Sequence, residues 1–174
     1  HAGAARLMDG QARATTVARL LRDSALPTLD ARALLSHVTG LRRESLVATP
    51  ERPVSPEDIA RFDALAARRR DGEPLAYLLG TREFYGRPFR VTSAVLVPRP
   101  ETELLVDLAL AALDVLAPRA APRVLDLGTG SGCIAISVAL ARPSARVEAV
   151  DASVDALAIA QSNADALGAR VSFA

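Results

Sequence analysis

Lysine and tryptophan are absent from this 174-residue sequence, and cysteine and methionine occur once each. The single cysteine, Cys133, excludes an internal disulfide framework and any multi-cysteine zinc site, so no metal site is expected. It also suits a reducing compartment, and a cytoplasmic location is expected. Aromatic residues make up only 3% of the chain. That scarcity argues against a sandwich of bulky side chains, and abundant alanine favours closely packed helices instead. With no lysine, arginine carries the positive charge, as a GC-rich coding sequence would produce. Neither sign of charge is in excess, since the formal net charge is +1. No global field therefore draws the protein to nucleic acid or to an acidic membrane, and neither partner is expected. No apolar run reaches the roughly 18 to 20 residues needed to cross a bilayer. The start, His1-Ala2-Gly3, has neither an initiator Met nor a signal-peptide pattern, and reads as a fusion scar or a trimmed terminus.

What is present suffices for folding: half the residues are apolar, and this length fits one large domain or two small ones. Residues 11 to about 80 read as short helices. Val17, Leu20 and Leu21 stand at helical spacing, and Leu26-Pro27 ends that element. Leu34, Leu35 and Val38 mark a second helix that Gly40 stops, and a brief third covers Arg43 to Val47. Ser55-Pro56-Glu57-Asp58 has the composition of a helix start: a Ser cap, Pro at the first position, acids at the positive dipole end. Ile59, Phe62, Leu65 and Ala66 supply its apolar stripe, and Arg68-Arg69-Arg70 its end.

From Glu83 the pattern changes. Phe84 to Phe89 reads as strand, turn, strand, and Val91 to Val97 as its extended continuation. Pro98-Arg99-Pro100 opens a helix over Glu101 to about Leu116. Strand and helix then alternate: strand Arg123–Leu127, helix Cys133–Ala141, strand Arg146–Val150, a helix capped by Ser153 and ended by Gly168, and a third strand over Arg170–Phe173. Such alternation predicts an α/β fold with parallel strands, crossover helices and a ligand site at the carboxyl ends of the strands.

The most informative stretch is Val124-Leu125-Asp126-Leu127-Gly128-Thr129-Gly130-Ser131-Gly132. Glycine at alternate positions lets a ligand lie against the backbone, and the following helix points free N–H groups at the loop. A dinucleotide fold would carry G-x-G-x-x-G, but the third position of that pattern is Cys133 here. Asp126, at the strand end, would repel a pyrophosphate and can orient an ammonium group. Asp151 ends the next strand, 23 residues after Gly128, where a carboxylate accepts ribose hydroxyls. Gly128, Thr129, Gly130, Ser131, Gly132 and Asp151 are therefore the candidate cofactor residues, with S-adenosyl-L-methionine favoured over a nicotinamide cofactor. Cys133 reads as a packing residue at the helix start, since no His lies near it in sequence. His37 reads as a packing or surface residue, and Arg68 to Arg70 as a solvated helix end or a docking patch.

Four stretches then carry a resemblance: Glu73-Pro74-Leu75-Ala76-Tyr77-Leu78-Leu79-Gly80, Arg82-Glu83-Phe84-Tyr85-Gly86, Val97-Pro98-Arg99-Pro100-Glu101-Thr102-Glu103 and the glycine loop. In this order they resemble the PrmC/HemK family, the protein-(glutamine-N5) methyltransferases of peptide chain release factors. The resemblance implies a helical domain over 1–80 that helps hold the release factor, a β-hairpin linker over 81–98, and a Rossmann-like methyltransferase domain over 99–174. It implies methyl transfer from S-adenosyl-L-methionine to the side-chain amide of the glutamine in a Gly-Gly-Gln motif; separately, a monomer is expected. By position, Gly128 to Gly132 and Asp151 match the family's cofactor residues, and Arg99 to Glu103 is expected to line the same pocket. The family's Asn-Pro-Pro-Tyr motif, which grips the substrate amide, is absent, and no Asn-Pro pair occurs anywhere. The domain is thus expected to be incomplete at its C-terminus, with no catalytic residue in this chain and no activity of its own. A nucleic-acid amino-group methyltransferase, a nicotinamide oxidoreductase and a non-catalytic binding module are the competing readings.

Overall fold

The computed structural model of the chain describes residues 14–116 and 121–174. The His1 start and positions 11–13 of the expected helical region lie outside the described residues. The chain divides into two units that meet in sequence at Glu73 and Pro74.

In the first unit, α1 (Val17–Asp23), α2 (Thr28–Thr39), α3 (Arg43–Ala48) and α4 (Pro56–Arg70) follow one another. Their boundaries come from local chemistry. Thr16 caps α1, its hydroxyl accepting from the Arg19 N–H, and Ser55 caps α4 in the same way through Asp58 N at 3.1 Å. Pro56 takes the first helical position, where its missing N–H would have had no intrahelical partner. The helices bury one stripe each, chiefly Leu34, Leu35 and Val38 of α2 and Phe62 and Ala66 of α4, while Ile59 and Leu65 are half-buried. The arginine run at the end of α4 is not simply solvated. Arg68 makes a two-pronged pair with Glu73 at 2.8 and 2.6 Å, Arg69 reaches Asp30 of α2 at 2.8 Å, and Arg70 donates to the Ser24 carbonyl at 2.9 Å. These bonds tie the end of α4 to α2 and to the turn after α1. His37 is exposed near the end of α2.

The second unit opens with α5 (Leu75–Leu79) and the antiparallel hairpin of β1 (Thr81–Phe84) and β2 (Arg87–Arg90). Tyr85 and Gly86 form its two-residue turn, with φ of 51° and 70°. Positive φ at both central positions gives the turn a backbone twist matching that of the strands it joins. Phe84 and Phe89 are buried and meet edge to face at 6.0 Å, a geometry worth about 0.5 to 1.5 kcal/mol beyond burial. The extended continuation expected over Val91 to Val97 is not found. Strand β2 ends at Arg90, and the chain turns because the Thr92 hydroxyl accepts the Ala94 N–H at 3.2 Å and the Thr92 carbonyl the Val95 N–H at 3.1 Å. A short 3-10 turn at Pro100–Thr102 leads into α6 (Glu103–Leu116).

The α/β expectation holds from there: β3 (Arg123–Leu127), α7 (Cys133–Ala141), β4 (Arg146–Val150), α8 (Val154–Leu167) and β5 (Val171–Phe173) follow in order. The strands form a parallel sheet ordered β3-β4-β5, with Leu127 opposite Val150. Buried Val106 of α6, Ile136 and Val138 of α7, and Val147 and Ala149 of β4 form one core together with the hairpin's two phenylalanines. Because β3 and β4 end level, the loop after β3 and the residue after β4 are brought side by side. Among the described residues, no helix is long and apolar enough to cross a membrane.

Candidate cofactor-binding site

The loop after β3 is pinned to the end of β4. Gly128 and Thr129 both donate their backbone N–H to the Val150 carbonyl, at 2.9 and 3.0 Å, and Gly132 donates to the Thr129 carbonyl at 2.9 Å. The next N–H in the loop, that of Gly130, donates to Asp151 Oδ2 at 2.8 Å. Asp151 Oδ1 accepts from Ser153 N at 2.9 Å. The glycine loop and Asp151, remote in sequence, are therefore in direct contact. The N–H groups of Ser153 and Gly130 hold the Asp151 carboxyl below the usual carboxylate range. An ionised carboxylate offers about four lone-pair positions, so two remain for hydroxyl donors of a ligand.

The three glycines do different things. An added Cβ at Gly128 or Gly130 would meet nothing within 4 Å; both face open space at the end of the sheet. At Gly132 the same atom would lie 2.8 Å from Ile136 Cδ1 and 3.1 Å from Ala160 Cβ. The third glycine is thus required for close packing of α7 against α8. All three have positive φ, at 73°, 56° and 78°. Thr129 and Ser131 are buried, at 6% and 2% exposure, so what they present to a ligand is backbone. The Thr129 hydroxyl donates to Asp126 Oδ2 at 2.8 Å, which orients the carboxylate at the end of β3.

Cys133 is 8% exposed, and burial pushes its thiol up to about 11. A thiol so protonated at neutral pH is no nucleophile, and the residue packs in the core beneath the loop as its reading from sequence has it. Glu103, in the stretch expected to line the pocket, accepts the Tyr85 N–H at the hairpin tip at 2.9 Å. The Tyr85 hydroxyl bonds Asp107 Oδ1 at 2.8 Å, so the tip is docked onto the first turns of α6.

One residue escaped the sequence reading altogether. Asn163 of α8 is 3% exposed, and its amide joins the loop to the hairpin: Nδ2 donates to the Ser131 carbonyl at 2.9 Å and the Arg90 carbonyl at 3.0 Å, while Oδ1 accepts the Arg90 N–H at 2.8 Å. A signal was available. Asn163 falls on the stripe of α8 that buries Ala156, Ile159, Ala160 and Ala164, and asparagine is a poor helix former that needs partners when buried.

The PrmC N-terminal domain family matches residues 11–80, and the Methyltransferase small domain family matches residues 104–174. Among curated relatives, the release factor glutamine methyltransferase of Bordetella pertussis is 56% identical over 90% of this chain and 57% of its own length. Those of Burkholderia pseudomallei and Escherichia coli are 54% and 48% identical, over 86% and 84% of this chain and 51% and 52% of their own lengths. The chain therefore spans about half the length of the curated relatives it matches. The chain thus carries a match to the PrmC N-terminal domain followed by one to a small methyltransferase domain, and along most of its length it is similar to release factor glutamine methyltransferases.

Proposed function

We propose that the crevice at the ends of β3 and β4 binds S-adenosyl-L-methionine, and that the chain serves methyl transfer to the side-chain amide N5 of the glutamine in the Gly-Gly-Gln motif of a peptide chain release factor. The observation that carries this reading is the contact between the glycine loop and Asp151, with two glycines open to the crevice. The residues suit that cofactor in three respects. Gly128 and Gly130 allow a ligand to lie on the backbone. Asp151 is ionised and has lone pairs free for two ribose hydroxyls. Asp126, steered by Thr129, is an anion placed to attract the ammonium end of a methionine moiety, and the same charge disfavours a pyrophosphate.

The cofactor would supply an electrophilic methyl group on a sulfonium. An amide nitrogen is a weak nucleophile because its lone pair is delocalised, so the protein's task is to hold the two reactants in line. The residues of this chain hold and orient the donor; no Asn-Pro pair to grip the acceptor amide occurs in the sequence. The 174-residue chain is therefore expected to bind cofactor without catalysing transfer.

The remaining assignments belong to the same reading: a helical domain over 1–80 that engages the release factor, a hairpin linker over 81–98, a cofactor domain over 99–174, a monomer, and a cytoplasmic location. The near-neutral charge supports a protein acceptor over nucleic acid. The names of the curated relatives support the same acceptor.

Calorimetry with S-adenosylhomocysteine tests the pocket. Wild type binds, and Asp151→Ala weakens binding by roughly 1.5 to 3 kcal/mol, the contribution of a charged hydrogen bond, which is about 10- to 150-fold. Equal binding by the variant, or heat released with NADH and not with the nucleoside, overturns the assignment. Sedimentation with a release factor or with tRNA tests the acceptor: retention of tRNA alone would refute a protein substrate.

A further inference from the structure

The structure assigns Asn163 as a positioning residue: its buried amide clamps the glycine loop to the hairpin and so sets the loop in the conformation that admits the cofactor. The inference rests on the cofactor reading proposed above and extends it to a residue outside the loop.

Asn163 uses three of the four hydrogen-bonding positions of its amide, two donated by Nδ2 and one accepted by Oδ1. The orientation is dictated by the partners. The Arg90 N–H can only donate, so it faces Oδ1, and the Ser131 carbonyl can only accept, so it faces Nδ2. Rotating the amide by half a turn would set N–H against N–H and oxygen against oxygen. The side chain therefore has one arrangement, and in it the hairpin, α8 and the loop are locked together.

The consequence lies in where Ser131 sits. Its side chain is buried, and it lies between Gly130 and Gly132, so the bond to its carbonyl fixes the peptide that joins Ser131 to Gly132. On one side of it, the Gly130 N–H braces Asp151. The Gly132 N–H, in the same peptide as that carbonyl, closes the turn on Thr129. Three glycines at positive φ are costly in conformational entropy to hold; a bond from a rigid helix to the carbonyl between two of them removes that freedom before the ligand arrives. The bonds to Arg90 extend the restraint to β2, whose partner strand ends at the tip held by Glu103 and Asp107.

Asn163→Ala and Asn163→Asp in the 174-residue chain test this, with Val106→Ala as a control that opens a cavity in the same core without removing a hydrogen bond of the loop. Asn163→Ala is expected to weaken S-adenosylhomocysteine binding about tenfold, and to speed amide hydrogen exchange at Gly130 and Gly132. Val106→Ala, though less stable than wild type, should change neither. In Asn163→Asp a carboxylate faces two carbonyls, so binding should be weakest near pH 8 and recover toward pH 5.5 as the acid protonates and donates again; wild type should stay flat over that range. This pH rescue is read within one folded variant and stands even if Asn163→Ala does not fold. The inference is overturned if Asn163→Ala binds within twofold of wild type, if Val106→Ala loses as much, or if Asn163→Asp shows no rescue. Exchange needs no ligand: failure of wild type to bind the nucleoside would sink the cofactor reading, while unchanged Gly130 and Gly132 exchange in Asn163→Ala would sink the clamp.

Discussion

Replacing Gly132 with alanine separates the two jobs that the loop glycines do. Gly130→Ala and Gly132→Ala carry the same conformational penalty, about 1 to 2 kcal/mol for an L-residue at positive φ, since both have that backbone. What differs is space. At Gly130 the new methyl enters the open crevice; at Gly132 it lands 2.8 Å from Ile136 Cδ1, 3.1 Å from Ala160 Cβ and 3.4 Å from Ala160 Cα. The end of Ile136 is able to swing aside. Ala160 is not, because its Cβ and backbone are fixed within α8, so α7 and α8 must separate. Overpacking of this kind costs about 1 to 3 kcal/mol. At about 4 to 8 °C per kcal/mol for a domain of this size, Gly132→Ala should melt roughly 5 to 20 °C below Gly130→Ala. Differential scanning calorimetry measures the gap, and calorimetry with S-adenosylhomocysteine gives the converse: Gly130→Ala loses more affinity per unit of stability lost. Equal melting temperatures for the two variants would refute the division of labour, because the φ penalty would then account for everything.

Two further outcomes follow from the titrating groups. Tyr85 donates its hydroxyl to Asp107, which raises its pKa above the ordinary phenol value. The fold thus favours the neutral phenol: this stabilisation is complete at neutral pH and is lost as pH rises through the raised value. Carbon-13 NMR of the tyrosine rings should show the Tyr85 midpoint above 10, and Asp107→Asn should bring it down; no movement in the variant would show that the bond is not formed. Cys133, with its thiol at about 11, is only about one-thousandth thiolate at pH 8. It should resist iodoacetamide in native buffer and react fully in denaturant, and rapid native labelling would mean that the loop does not cover it.

Much of this protein was legible along the chain because its decisive signals are local. Ser55-Pro56, Ser153 and Gly168 mark helix ends through groups a few residues away, and the structure starts or stops its helices there. The turn Tyr85-Gly86, the strands β3 and β4, and the helix after Gly132 were readable for the same reason. So was the pairing of a glycine loop with an acid one strand later, since two parallel strands joined by a helix have few ways to end. Extended chain over 91–97 was the failure, where a threonine hydroxyl captured a nearby N–H and bent a run that composition alone reads as strand.

Tertiary structure decided what depends on partners distant in sequence. Only folding turns Gly132 from a ligand-facing glycine into a packing one, because Ala160 must be brought against it. Only folding assigns Glu103 to the hairpin tip and the arginine run to Asp30, Glu73 and Ser24, because a charged side chain takes whichever counterpart the packed helices deliver. Asn163 is the clearest instance. The sequence marks it as a polar residue on an apolar stripe, while its partners, 73 and 32 residues away, exist as partners only once α8, the hairpin and the loop have converged.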